Sequence, residues 1–105
     1  MKLYNKLVRD RIPEIMEANG ETPITRILNS VEYLNCLEAK LDEEVQEFHE
    51  SKNPEELADI LEVIYALAET HGCDKQTLME IYKQKHTDRG GFADRVFLIK
   101  KAQTD

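Results

Sequence analysis

Two helical patterns and the break between them decide the fold: Lys40-Leu41-Asp42-Glu43-Glu44-Val45-Gln46-Glu47-Phe48-His49-Glu50, then Ser51-Lys52-Asn53-Pro54, then Glu55-Glu56-Leu57-Ala58-Asp59-Ile60-Leu61. Into the first pattern run Val31, Leu34, Leu37, Leu41, Val45 and Phe48, in steps of three or four, the period of a helix with one apolar stripe. The spacing predicts a helix over about 31–50, and Asn29 with Glu32 has capping-box spacing at its start. Asn53-Pro54 supplies a cap and then proline at the first helical position. Leu57, Ile60, Leu61, Ile64, Leu67 and Ala68 form the stripe of the next helix, which Thr70-His71-Gly72 closes. So short a break predicts an antiparallel pair. Glu44 and Glu47 then share a flank of the first helix, and Glu56 and Asp59 a flank of the second, near the same end of the hairpin. Glu43 sits nearer the polar face.

Carboxylates three residues apart on a helix share a face, and like charges there repel unless a cation lies between them. Two such pairs on neighbouring helices offer the oxygen ligands that Mg²⁺ takes, with substrate phosphates commonly filling further positions. The plainer reading is a solvated acidic face. In that reading Glu56 closes a capping box, and the acids of the first turn are favoured by the helix dipole. Spacing leaves both open.

The remaining chain falls around this pair. A basic segment, Lys6-Leu7-Val8-Arg9-Asp10-Arg11-Ile12-Pro13, leads into a short helix stopped by Asn19-Gly20. Thr22-Pro23-Ile24-Thr25-Arg26-Ile27-Leu28 is β-branched and too short for a stable helix. Its one plausible partner is Arg95-Val96-Phe97-Leu98-Ile99, so a small two-stranded antiparallel sheet pairing 22–28 with 95–99 is expected. Asp74 caps a fourth helix with Leu78, Ile81 and Tyr82 on its apolar side, and Arg89-Gly90-Gly91-Phe92 breaks it. The expected architecture is mainly α: one domain over 1–105, a bundle of about four helices, and this small sheet.

Charge separates the regions. The formal net charge is −7, which disfavours a role on a nucleic-acid polymer or an anionic membrane. Residues 38–62 carry ten acids against Lys40 and Lys52, a local −8. Residues 1–13 are locally +3 and residues 83–101 locally +4. An acidic middle between basic ends suits a metal site served by phosphate-binding arms, or simply solvated faces. No apolar run reaches the roughly 18 residues of a membrane span. Cys36 and Cys73 fit no zinc spacing and read as reduced thiols, which points to the cytoplasm. His49, His71 and His86 share no spacing with a nucleophile, and the aromatic side chains read as packing.

Glu43-Glu44-Val45-Gln46-Glu47 followed by Glu56-Leu57-Ala58-Asp59 resembles the EExxE and ExxD motifs of the MazG-like nucleoside triphosphate pyrophosphohydrolases, a superfamily that also holds phosphoribosyl-ATP pyrophosphohydrolases. The segments 6–13 and Arg89-Gly90-Gly91-Phe92 resemble the ends of its small single-domain branch, so the likeness covers nearly the whole chain. The resemblance implies a MazG-like helical bundle acting as a homodimer or higher homo-oligomer. It implies that Mg²⁺, with Mn²⁺ as an alternative, is held by Glu44, Glu47, Glu56 and Asp59. Glu43 would then help to orient or deprotonate the attacking water. A nucleoside triphosphate would be cleaved to the monophosphate and pyrophosphate, in keeping with house-cleaning of non-standard nucleotides. Phosphate contacts are expected from Lys6, Arg9 and Arg11 on one side and Lys83, Lys85, Arg89 and Arg95 on the other. The alternatives are phosphoribosyl-ATP as substrate, or a non-catalytic helical module that binds nucleotides or a protein.

Overall fold

The computed structural model describes residues 3–103. Four helices follow one another: α1 (Ile12–Ala18), α2 (Ser30–Ser51), α3 (Pro54–Thr70) and α4 (Lys75–Arg89). The mainly α expectation holds, and the boundaries of α2 and α3 fall within a residue or two of those read from the stripes.

The caps explain these boundaries. The Asn29 side chain accepts from the Glu32 N–H at 2.9 Å, and the Glu32 carboxylate accepts from the Asn29 N–H at 3.2 Å, a complete capping box. Arg26 reinforces it with a two-pronged contact to Glu32 at 2.8 and 3.2 Å. Asn53 caps α3 by accepting from the Glu55 N–H at 3.0 Å, with Pro54 opening the helix. Asp74 caps α4 through the Thr77 N–H at 2.8 Å. Between α2 and α3 the chain reverses at Lys52, which takes the left-handed conformation (φ 57°) and donates its N–H to the Phe48 carbonyl.

Helix packing is concentrated in the α2–α3 hairpin; α4 touches α3 more sparsely. The core is correspondingly small, with Leu37 of α2 and Val63 of α3 as its buried apolar residues among those described. Val63 lies outside the stripe read from the sequence. α3 is apolar around more than half its girth, and α2 takes the side that carries Val63. Leu57, Leu61 and Ile64 remain 37–48% exposed.

The expected sheet does not form. No strand occurs among the described residues, and neither 22–28 nor 95–99 has regular structure. Ile24, Ile27, Val96, Phe97, Leu98 and Ile99 are each at least 78% exposed. A strand holds only when a neighbour takes its backbone N–H and C=O groups, and these two segments do not supply each other with one. The result is an extended molecule of 68 × 32 × 23 Å, with a radius of gyration of 18.9 Å. Among the described residues no helix is long and apolar enough to cross a membrane.

Candidate metal centre and the basic groups around it

The helical period delivers the acids as its spacing requires. Glu43, Glu44 and Glu47 on α2 place carboxylate oxygens within 4.8 Å of one another, and Glu44 does the same with Glu56 and Asp59 of α3. Glu44 belongs to both groups and joins the two helices. It is 94% buried, the one buried charged residue described. Its Oε1 lies 3.3 Å from the Lys40 ammonium. Its Oε2 is buried with no hydrogen-bond partner among the described residues.

An unpartnered buried carboxylate oxygen is costly, and its titration registers this. Burial pushes the Glu44 carboxyl above the ordinary carboxylate range, and the adjacent Glu47 carboxyl raises it further against the opposing pull of Lys40. Glu56 is also raised, first by desolvation and then by Asp59 beside it. Glu56 does not close a capping box: the N-cap pairing is between Asn53 and Glu55, and the Glu56 carboxyl faces Asp59 and Glu47. A divalent cation fits this donor set. It would satisfy the Glu44 Oε2 and relieve the repulsion that raises both groups, using only oxygen ligands.

The basic groups divide. Arg9 donates to Asp59 Oδ1 at 2.6 Å, and Lys6 Nζ lies 4.0 Å from Glu43. The N-terminal segment therefore crosses the acidic end of the hairpin. Arg11 does not take part; it pairs with Glu14 within its own helix turn at 3.2 Å. Lys83, Lys85, Arg89 and Arg95 are exposed and form no ion pair with the acids. The Gly90 N–H is donated to the His86 carbonyl at 2.8 Å, so Gly90 (φ 78°) serves as a helix stop.

The sequence reading missed Lys40. It is only 17% exposed at its side chain and stands 3.5 Å from Glu43 as well as beside Glu44. Its spacing of three and four from those acids was the available signal. Also missed was a cavity of about 400 Å³ under the N-terminal segment. Glu44, Asp59, Arg9 and Lys40 line it toward the acids, and Tyr33, Tyr65, Val63 and Lys75 line the rest. Lys75 covers the Tyr65 ring at 4.8 Å. The acid cluster thus opens into a partly aromatic pocket large enough for a small organic ligand.

Fold and site together define a mainly α chain with a carboxylate-lined helical hairpin. No family model matches the chain, and no solved structure matches it. The chain is similar to an uncharacterised protein of Mycolicibacterium smegmatis, with 60% identity over 42 residues. That match covers 40% of this chain and 43% of the relative, so it spans less than half of either.

Proposed function

We propose that this chain is a Mg²⁺-dependent nucleotide pyrophosphohydrolase of the MazG-like kind, cleaving a nucleoside triphosphate to the monophosphate and pyrophosphate. The observation that carries the reading is Glu44: a buried carboxylate with an unpartnered oxygen, shared between two groups of acids at the mouth of a pocket. Glu44, Glu47, Glu56 and Asp59 would hold the ion. When bound, Mg²⁺ supplies charge neutralisation to the triphosphate and lowers the pKa of water.

The chain's own residues do the remainder. Glu43 lies on the more open side of the cluster and accepts a proton from water. Lys40 compensates Glu43 and Glu44 from below. Arg9, released from Asp59, turns to a phosphate, where a guanidinium stabilises charge on the leaving group. Tyr33 and Tyr65 flank the space open to the nucleoside. The unpaired Cys36 and Cys73 are in keeping with a cytoplasmic location.

The test is pyrophosphate release from a panel of standard and modified nucleoside triphosphates and phosphoribosyl-ATP, with Mg²⁺ and with EDTA. Release that needs Mg²⁺ and is lost in Asp59→Asn supports the reading. One observation favours a second reading, a binding module without catalysis. Arg9, Lys6 and Lys40 pair with acids of the cluster and so neutralise part of its charge. No release from any of these substrates, with no effect of Mg²⁺ on the melting temperature, would favour that module.

A further inference from the structure

The pocket beside the acids is a groove with a direction. From α3 it takes Asp59, Glu62, Ala66 and Glu69, in steps of three and four, so one face of that helix runs along its length. From α2 it takes a matching row that begins at Tyr33 and ends at Glu44. The helices are antiparallel, so Glu44 stands beside Asp59 and Tyr33 stands at the level of Glu69. Glu44, nine-tenths buried and with its Oε2 left without a partner among the described residues, marks the first end as a place for a ligand. The far end lies about 15 Å away by helix rise. That is the length of a nucleotide with an ion at its phosphates and a hydrogen bond at its base. At the far end the charged groups are Glu69 and Lys75. The turn at Gly72 (φ 74°) folds the start of α4 back on the end of α3 and so brings both to one rim. They form no ion pair with each other, and Glu69 has no hydrogen bond among the described residues. Lys75 lies over the Tyr65 ring at 4.8 Å, whereas the Tyr33 ring meets no other ring or cation among the described residues.

We propose that this far end reads a guanine-type base: Glu69 accepts from the ring N1–H and the 2-amino group, Lys75 donates to O6, and Tyr33 stacks on the ring. The assignment rests on the reading of the groove as a nucleotide site and names the base that site takes. An ionised carboxylate only accepts and an ammonium only donates. The pair therefore selects a base edge with two adjacent donors beside one acceptor, and guanine presents O6, N1–H and the amino group in that order. A carboxylate takes two parallel N–H groups in a fork, which is both stronger and more specific than a single bond. Adenine and cytosine set one amino group beside an accepting ring nitrogen, whose lone pair would face the second carboxylate oxygen. Uracil sets its single N–H between two carbonyls. Hypoxanthine keeps O6 and N1–H but lacks the amino group, so it makes one carboxylate bond in place of two. Distance keeps the two ends separate: Glu69 is too far along the helix to share an ion with Asp59, since Mg²⁺ holds its ligands at about 2.1 Å. The stacking surface is sequence-tolerant by itself, because every base has a π-face. Discrimination therefore falls to Glu69 and Lys75.

The experiment reads binding rather than turnover. The α,β-methylene analogues of GTP, ITP, ATP, CTP and UTP, which resist cleavage between those two phosphorus atoms, are titrated into the protein with Mg²⁺ in a calorimeter. The GTP analogue should bind about tenfold or more tighter than each of the others, as one further charge-assisted hydrogen bond provides. Glu69→Gln should bring the GTP analogue down to the level of the ATP analogue. Lys75→Met should weaken the GTP and ITP analogues together, since both carry O6, and keep the ratio between them. Both side chains are exposed, so the variants should fold, and their melting curves check this. Equal affinities in the wild type, a preference for another base, or a guanine preference that survives Glu69→Gln overturns the assignment. So does a wild type that binds none of the analogues. Pyrophosphate release from the triphosphates themselves is scored separately. Release with no guanine preference in binding overturns the base assignment and keeps the pyrophosphohydrolase reading. Guanine-selective binding without release from any substrate does the reverse.

Discussion

The hairpin of α2 and α3 and the last third or so of the chain, from α4 onward, both carry apolar side chains, yet they end differently. In the hairpin Leu37 is 3% exposed and Val63 7%, and a buried carboxylate is held between the helices. From Ile81 onward every described residue is exposed, Phe97 and Ile99 among them. Apolar content alone does not make a core. A two-residue connection forces α2 and α3 to meet, and nothing in the chain forces the C-terminal segment to meet anything.

That contrast breaks first on stability. Leu37→Ala should cost about 2–5 kcal/mol in chemical denaturation, because its cavity lies in the α2–α3 interface, the better packed of the two. A loss below 1 kcal/mol would mean that the hairpin is not the stable unit. Next in size is Asp59→Asn. It should lower pyrophosphate release by about 10²-fold or more, since even outer-shell changes at metal sites cost 10–100-fold, and it should abolish the rise in melting temperature with Mg²⁺. An unchanged Mg²⁺ response would remove Asp59 from the site.

Asn29→Ala follows, at about 1 kcal/mol for the lost capping box, checked by urea denaturation. A smaller effect separates the buried acid from its surface neighbours. The folded pKa of Glu44 is raised, so the folded state holds its proton to higher pH than the unfolded chain does. Without metal, stability should therefore decline as pH rises above about 4.5, the ordinary value for glutamate. Glu44→Gln should flatten this decline in thermal melts, and the benefit of added Mg²⁺ should grow with pH in the wild type alone. A flat wild-type profile would show that Glu44 is not held as the structure places it. Smallest is Val96→Ala, on the exposed arm. It should stay within about 0.5 kcal/mol at protein concentrations where the chain is monomeric. A larger effect that grows with concentration would show the arm buried against a second copy.

Local chemistry made much of this legible. Asn29 with Glu32, Asn53 with Pro54, and Asp74 marked the helix starts because a cap is satisfied by residues two or three positions away. The acid groups followed from helical spacing for the same reason. The sheet was misread because β-branched composition states only that a segment is able to pair, while pairing depends on a backbone elsewhere. Glu56 was read as closing a cap that Asn53 makes with Glu55, and Arg11, expected at phosphate, pairs with Glu14. In both, a partner in sequence reach competed with one in space. Lys40 carried a visible spacing signal, but its burial did not show until α3 was in place.

By itself the sequence determined four helices, their caps, and the rows of carboxylates on α2 and α3, since each depends on residues within a turn of one another. Only the tertiary structure decided which side of α3 is buried, that Glu44 is shared between the helices with an unsatisfied oxygen, that Arg9 and Lys6 reach the acids, and that the apolar C-terminal segment stays uncovered. These depend on where separate segments come to rest, which follows from packing and desolvation across the whole chain.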